Sequence, residues 1–195
     1  RLGEAEAAWR QAAGLPVTKG EWMWSPKSEH CVGHLTALLE AFFHRDERFT
    51  YLEFGTCFGT TFSRVMGHFP NAIGIGAEAN PARFDVTRWV VGRMEEPWRL
   101  RDRVRLHQAP VTELPLEPGA VDVVFMDTNH VYPEEYDLIL HFLDRDLLRR
   151  GFLFVVDDPT HSGTDTARQQ FLRERSDEFK ILTSAEKNLW WFFRK

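Results

Sequence analysis

The sequence predicts an α/β fold in which a seven-stranded, mostly parallel sheet is covered by helices on both faces. From residue 50 onward, short apolar runs alternate with amphipathic stretches, a pattern typical of strands that alternate with helices. The strands are nearly continuous in apolar residues, as expected when both faces of a sheet are buried. The last two apolar runs are joined by "SAEKN" without room for a helix, so we expect an antiparallel last strand at one edge.

The elements can be predicted in chain order. Residues 3–13 ("GEAEAAWRQAA") are strong helix formers, and 25–43 is predicted as a helix because Ser25 suits its N-cap and Pro26 its first turn. The predicted strands are 50–54, 72–78, 103–107, 121–126, 152–156, 179–183 and 189–194. Helices are predicted between them at about 60–68, 82–95, 133–148 and 164–176. The segment "RRG" (149–151) suits the end of the third of these helices.

We expect one domain over residues 1–195, with an N-terminal helical cap over 1–46 and the sheet core over 47–195. Trp22 and Trp24 lie in a polar stretch before the core, where they either form a lid over a pocket or anchor the first helices. Trp190 and Trp191 fall on opposite faces of the last strand. We expect both to take part in core packing or in a homodimer contact.

The bulk composition disfavours several classes of partner. The 195 residues carry a net charge of −5, and basic residues are interspersed with acids, which argues against nucleic acid. Apolar runs are far shorter than the ~20 residues that span a membrane. The chain opens without a signal-like segment, and its two cysteines do not make a disulfide framework. We therefore expect a cytoplasmic protein with a small-molecule partner.

A glycine-rich turn follows the first predicted strand in "TYLEFGTCFGTT" (50–61). Its spacing, Glu53-x-Gly55-x-x-x-Gly59, lacks both the G-x-G-x-x-G of dinucleotide folds and the Gly-Lys-Ser/Thr of a P-loop. An acid before the glycine would repel a phosphate and suits a nucleoside with a cationic amino-acid tail. The alternative is that the two glycines only close a strand–helix turn.

A second acid, Glu78, ends the second predicted strand in "GAEANP". At that place in an open α/β sheet, a carboxylate can accept hydrogen bonds from both ribose hydroxyls. An acid that merely precedes the next helix would look the same, so the interpretation depends on the glycine turn one strand earlier.

These segments, with "VDVVFMDTNHVYPEEYDLILHFL" and "GFLFVVDDP", resemble the successive motifs of class I S-adenosylmethionine-dependent methyltransferases. Within that class the chain is most similar to small-molecule, metal-dependent O-methyltransferases of the macrocin and sugar-modifying type. The resemblance covers roughly residues 30–195 and implies a Rossmann-like sheet of order 3-2-1-4-5-7-6. It also implies a donor site, whose expected residues are Glu53, Gly55, Thr56, Gly59, Glu78, Ala79, Gln108, Ala109 and Asp127. The loop at Gln108–Val111 would flank adenine, although Ala109 and Pro110 cannot supply the acid that many relatives carry there.

Three carboxylates end the fourth and fifth predicted strands, Asp127 in "MDTNHVY" and Asp157 and Asp158 in "VVDDPTH". In the usual strand order these side chains converge, and mutual repulsion would favour a bound divalent cation, most plausibly Mg²⁺. Such a cation could chelate the acceptor and lower the pKa of its hydroxyl. Alternatively, Asp157 and Asp158 end a strand in a turn and Asp127 binds the methionine amine.

His130, three residues after Asp127, is the best candidate for a general base, because its unperturbed pKa lies near neutrality. We therefore predict His130 and Asp127 as the catalytic pair. His161 is a second candidate at the same rim, and a capping or substrate-binding role for His130 is the alternative. Relatives often carry glycine where Thr128 stands.

The leading functional prediction is methyl transfer from S-adenosylmethionine to a hydroxyl oxygen of a small natural-product, sugar or catechol-like acceptor. A nicotinamide dehydrogenase is disfavoured by the missing G-x-G-x-x-G. Two further alternatives keep the fold: an enzyme of other chemistry, such as hydroxylase-like or aminopropyl-transfer activity, and a non-catalytic binding or dimerisation module.

Overall fold

The computed structural model of the protein describes residues 26–93, 100, 102–184 and 189–195. The predicted helix at 3–13 and the two tryptophans proposed as a lid or anchor lie outside the described residues.

The described chain alternates strands and helices from residue 50 onward. The helices are α1 (Pro26–Glu40), α2 (Thr60–His68), α3 (Pro81–Arg93), α4 (Glu134–Asp144) and α5 (Ser162–Arg175). The strands are β1 (Thr50–Phe54), β2 (Ile73–Ala77), β3 (Val104–His107), β4 (Val121–Met126), β5 (Leu148–Asp157), β6 (Phe179–Thr183) and β7 (Leu189–Arg194). A 3₁₀ turn, Val111–Glu113, follows β3.

The seven strands form one sheet in the order β3-β2-β1-β4-β5-β7-β6. Every pair from β3 to β5 is parallel, whereas β7 runs antiparallel to both β5 and β6. The predicted strand order and the antiparallel last strand are therefore confirmed. The order reverses between β1 and β4, so ligands are expected above the carboxyl ends of those two strands.

Side-chain alternation along the strands divides the core into two layers. On one face, Leu52 and Phe54 of β1 pack with Phe142 of α4 and Phe171 of α5. On the other face, Tyr51 of β1 packs with side chains of α1 and α2, among them Leu35, Leu39, Phe62 and Val65. Because alternate residues face opposite layers, Glu53 shares the α1–α2 face with Tyr51. Trp190 is fully buried in the first layer and Trp191 packs against the second, as the alternation predicted.

The boundary between α4 and β5 differs from the predicted one. The helix ends at Asp144 rather than at 148, and the segment "RRG" (149–151) lies in β5 instead of ending a helix. Asp146, with φ of 50°, reverses the chain directly after α4. Leu148 then pairs with Val121, and a register irregularity separates that pair from the main β4–β5 ladder.

Within the described part of the chain, no helix is both long and apolar enough to cross a membrane.

Candidate functional site

A cavity of about 550 Å³ opens above the carboxyl ends of β1, β2 and β4. Its lining includes five of the predicted donor-site residues, namely Gly55, Glu78, Ala79, Ala109 and Asp127. The cavity lies where the strand order reverses, which is the expected ligand position in an open α/β sheet. Its volume falls in the range of small-molecule and cofactor sites, roughly 300–1,000 Å³.

The glycine-rich turn forms one wall because its backbone approaches β4 closely. Gly55 has φ of 78°, and a Cβ built on it would lie only 1.6 Å from the carbonyl oxygen of Asp127. The amide of Gly55 donates to Ala77 O (3.0 Å), which ties the turn to β2 as well. Gly59 follows with φ of 72° at the N-cap of α2. Only a residue without a side chain fits at position 55.

Glu78 connects the end of β2 to the glycine-rich turn. Its Oε2 accepts from the backbone amide of Cys57 (2.9 Å), and its Oε1 accepts from the amide of Asn80 (2.8 Å). The residue is almost fully buried and lines the cavity. A carboxylate can accept about four hydrogen bonds, so both oxygens keep acceptor capacity for ligand hydroxyls.

Glu53 lies beneath the turn rather than in the cavity wall. The Tyr51 hydroxyl donates to its Oε2 (2.5 Å) within the α1–α2 layer. Burial raises the pKa of the Glu53 carboxyl well above its usual value, and the negative charge of Asp127 acts in the same direction. The Tyr51 hydrogen bond opposes the rise. A positive ligand group near Asp127 would favour the ionised form of Glu53.

Of the other predicted donor-site residues, Thr56 and Gln108 do not line the cavity, whereas Ala109 does. Thr56 is buried, with its Oγ1 3.3 Å from Thr87 Oγ1, and does not line the cavity. The side chain of Gln108 is exposed, and that residue also lies outside the lining. The loop after β3 nevertheless contributes Ala109, Pro110, Val111 and Thr112 to the wall. That loop flanks the cavity mainly through apolar surface.

Asp127, Asp157 and Asp158 lie at one rim, as their strand-end positions predicted. Burial raises the pKa of the Asp127 carboxyl to about 8, and the negative charge of Asp157 contributes most after burial. Asp158, with φ of 46°, is largely exposed. Asp127 therefore holds a proton more readily than an isolated carboxylate would.

His130 lies between these acids and α4. Its Nε2 is 3.7 Å from Asp127 Oδ1 and 3.9 Å from Asp158 Oδ2, while its Nδ1 is 3.1 Å from Glu135 Oε1. The hydrogen bond to Glu135 is the main reason that the pKa of His130 is raised, and burial opposes it. The His161 ring lies alongside, with centroids 5.2 Å apart.

The predicted Mg²⁺ ligands do not form a ligand group as they stand. Among the residues that the structure describes, no set of three or more His, Cys, Asp or Glu side chains is arranged to hold a metal ion. The imidazole of His130 instead lies between Asp127 and Asp158, where its positive form reduces the repulsion that suggested a cation.

Several cavity residues were not predicted from sequence. They are Phe54, Cys57, Ala77, Arg83, Thr112, Thr128, Asn129, Glu134 and Leu138. Glu135, which contacts His130, was also not predicted as a site residue, because it lies inside the helix predicted at 133–148. One signal was present: Glu135, Ile139 and Phe142 recur at helical spacing, and all three are buried.

Comparison with known proteins identifies the fold. No protein-family model and no curated protein matches the chain. An O-methyltransferase from Bacillus cereus in complex with S-adenosylhomocysteine matches with a TM-score of 0.65 at 16% identity, over 100% of this chain and 91% of that one. The O-methyltransferase TomG from Streptomyces achromogenes, involved in tomaymycin synthesis and solved with S-adenosylmethionine, matches with a TM-score of 0.61 at 16% identity, over 100% and 89%.

A methyltransferase from Podospora anserina, bound to S-adenosylhomocysteine, matches with a TM-score of 0.61 at 15% identity over 97% of this chain and 96% of that one. The chain thus has the Rossmann-like fold of class I S-adenosylmethionine-dependent methyltransferases, which confirms the predicted fold class.

Proposed function

We propose that the protein is an S-adenosylmethionine-dependent O-methyltransferase that acts on a small molecule. The observation that carries the proposal is the cavity above β1, β2 and β4, where Gly55, Glu78 and Asp127 meet. The three similar structures contain S-adenosylmethionine or S-adenosylhomocysteine. S-adenosylmethionine supplies an electrophilic methyl group, which a hydroxyl oxygen takes as the methyl–sulfur bond breaks and the sulfur keeps the electron pair.

The residues that line the cavity favour a nucleoside with a cationic tail over a dinucleotide. Glu78 offers acceptor capacity to ribose hydroxyls from a buried position at the end of β2. Asp127 in the wall and Glu53 beneath the turn have raised pKa values, so a cationic tail would stabilise their ionised forms, whereas a pyrophosphate would oppose them. The apolar loop at Ala109–Thr112 suits the face of a base.

The proton of the acceptor hydroxyl goes to His130 in this proposal. Its Nε2 is directed toward Asp127, which lines the cavity, so the base lies at the edge of the donor site. The hydrogen bond to Glu135 stabilises the resulting imidazolium most, and the negative charges of Asp158 and of Asp127 in its ionised form act in the same direction. General base catalysis of this kind contributes roughly 10²–10⁴-fold to a rate.

The acceptor is proposed to be small and to carry a free hydroxyl, as in natural-product, sugar or catechol-like compounds. Val131 and Tyr132 are exposed beside the rim and provide apolar surface next to His130. A homodimer and a cytoplasmic location remain predictions from the sequence.

Mg²⁺ also remains a prediction from the sequence, and no step is assigned to it, because the described carboxylates do not form a ligand group. Its test is the rate of methyl transfer after removal of divalent cations with EDTA and after addition of Mg²⁺. Dependence on Mg²⁺ that is lost in Asp158→Asn would support the metal-assisted version.

The proposed reaction is tested by incubating the protein with methyl-labelled S-adenosylmethionine and a panel of hydroxyl compounds. Label in an ether-linked product, with release of S-adenosylhomocysteine, supports the proposal. Transfer of an aminopropyl group, or methylation of nitrogen or carbon acceptors only, would contradict it. His130→Ala serves as the inactive comparison, and His44→Ala, which changes an exposed histidine, serves as its matched control.

A further inference from the structure

We propose that Glu135 is a positioning residue that keeps the His130 imidazole in the Nδ1–H tautomer and leaves Nε2 free to accept the acceptor's proton. The catalytic consequence of this contact rests on the proposed function. The geometry of the pair, however, can be tested without any substrate.

Glu135 is a buried carboxylate, and burying a carboxylate lowers the stability of the fold unless its oxygens are hydrogen-bonded. Its side chain is only 1% exposed, and its Oε1 lies 3.1 Å from His130 Nδ1 and 3.2 Å from Thr128 Oγ1. Within the described part of the chain, its Oε2 is buried without a hydrogen-bond partner. A buried acid with one unsatisfied oxygen is destabilising unless its remaining contacts are strong, so the contact with His130 is the main compensation.

The chemistry of the pair determines which ring nitrogen carries the proton. An ionised carboxylate only accepts hydrogen bonds, so the nitrogen that faces Glu135 Oε1 must be N–H. The neutral ring then has its lone pair on Nε2. That atom lies 3.7 Å from Asp127 and 3.9 Å from Asp158, and both distances are longer than a hydrogen bond.

The surrounding helices hold the rest of His130 in place. A Cβ built on Gly163 would lie 1.9 Å from the carbonyl oxygen of His130, so α5 packs directly against that backbone. Thr164 Oγ1 lies 3.2 Å from Nδ1. His130 has φ of 57°, an uncommon conformation for a residue with a side chain. With the backbone held by α5, the Glu135 carboxylate on α4 determines the orientation and the tautomer of the ring.

Glu135 could instead serve only the stability of α4, as an acid in the first turn of a helix. Asp137 has the same sign in the same turn but is exposed. Asp137→Asn is therefore the matched control, because it removes a helix-terminal charge without touching His130.

The test is the ¹⁵N spectrum of the histidine side chains in the full chain, at a pH at which the His130 ring is neutral, with the resonance assigned by His130→Asn. We expect the Nδ1–H tautomer in the wild type, in Asp137→Asn and in Glu135→Gln, whose amide oxygen can still accept from Nδ1–H. In Glu135→Leu we expect a shift toward Nε2–H, the form that free imidazole side chains favour. An Nε2–H wild type, or an unchanged tautomer in Glu135→Leu, would overturn the proposal.

Glu135→Leu removes a buried group, so the folding of this variant is checked by circular dichroism. If the variant fails to fold, the wild-type and Glu135→Gln spectra still decide between the two tautomers.

The catalytic consequence is measured separately as kcat, KM for S-adenosylmethionine and affinity for S-adenosylhomocysteine. We expect kcat to fall at least tenfold in Glu135→Leu and less in Glu135→Gln, with KM and affinity unchanged. An unchanged kcat in a variant with an altered tautomer would overturn the positioning role of Glu135. Failure of the wild-type protein to bind S-adenosylhomocysteine would overturn the proposed function but not the tautomer assignment.

Discussion

A Cβ placed on Gly55 would lie 1.6 Å from the carbonyl oxygen of Asp127, so the turn after β1 and the end of β4 meet backbone to backbone. Both residues line the cavity above the carboxyl ends of β1, β2 and β4, so this contact is part of its wall. The same two strands flank the reversal of strand order.

Gly55→Ala should therefore disrupt the cavity. The substitution combines a left-handed backbone with a clash, and we expect a loss of more than about 3 kcal/mol in unfolding free energy together with loss of S-adenosylhomocysteine binding. Gly119→Ala is the control, since Gly119 has φ of 66° but open space around a Cβ. It should cost only the ~1–2 kcal/mol of the left-handed conformation. Equal losses in the two variants, measured by chemical denaturation, would show that the Gly55–Asp127 contact is unimportant.

Glu78→Gln should weaken donor binding more than it weakens the fold. Glutamine can replace only part of the acceptor capacity that serves Cys57 N, Asn80 N and the ribose hydroxyls. Because hydrogen bonds to charged groups contribute about 1.5–3 kcal/mol, we expect at least a roughly tenfold loss of affinity for S-adenosylhomocysteine by calorimetry. The control is Glu117→Gln at an exposed site. Unchanged affinity in Glu78→Gln would remove Glu78 from the ribose site.

Glu53 makes the stability of the ligand-free protein depend on pH. Burial raises the pKa of this carboxyl, so the folded state holds a proton that the unfolded chain releases at lower pH. Its contribution to stability is complete below the unfolded pKa of ~4.3 and is lost as pH rises through the folded pKa. Asp127 and His130 have raised pKa values and act in the same direction.

Glu53→Gln cannot ionise, so its unfolding free energy should fall less between about pH 5 and about pH 8 than that of the wild type. The measurement is urea denaturation at the two pH values, with Glu117→Gln as the control. We also expect weaker binding of S-adenosylhomocysteine, because glutamine cannot ionise when the positive ammonium group of the ligand approaches Asp127. A pH dependence identical to that of the wild type would contradict the assigned protonation of Glu53.

His130→Ala should lower kcat by roughly 10²–10⁴ while leaving affinity for S-adenosylhomocysteine unchanged, because the base acts on the acceptor. His161→Ala is the informative comparison, since its ring lies 5.2 Å from that of His130 at the same rim. Steady-state kinetics should show a much smaller loss for His161→Ala. A larger loss there would transfer the role of the base to His161.

The sheet and the position of the cavity could be predicted because their signals are local. Glycines after β1 and an acid after β2 lie in short segments whose position follows from the strands themselves. Glu53 was predicted among the donor-site residues, but alternation along β1 places it on the face of Tyr51, beneath the turn and outside the cavity lining. The exposed side chain of Gln108 and the early end of α4 depend on tertiary packing, which local propensity does not contain.

The buried contact of Glu135 with His130 could not be predicted from the sequence. In the first turn of a helix an acid is favoured by the helix dipole whether it is exposed or buried. Its buried contact with His130 depends on α5, whose Gly163 packs against the His130 backbone. Glu135 and His130 are close in the chain, but Gly163 belongs to a distant segment that local propensity does not place. The helical spacing of Glu135, Ile139 and Phe142 pointed only to the burial of Glu135.

The most direct test of the central claim, that the cavity at Gly55, Glu78 and Asp127 is a donor site, is calorimetric titration of the wild-type protein with S-adenosylhomocysteine, with NADH as the comparison ligand. We predict saturable binding of one S-adenosylhomocysteine per chain, weakened in Glu78→Gln and unaffected in Glu117→Gln. Absence of binding to a folded wild-type protein, or binding of NADH that S-adenosylhomocysteine does not displace, would contradict the account.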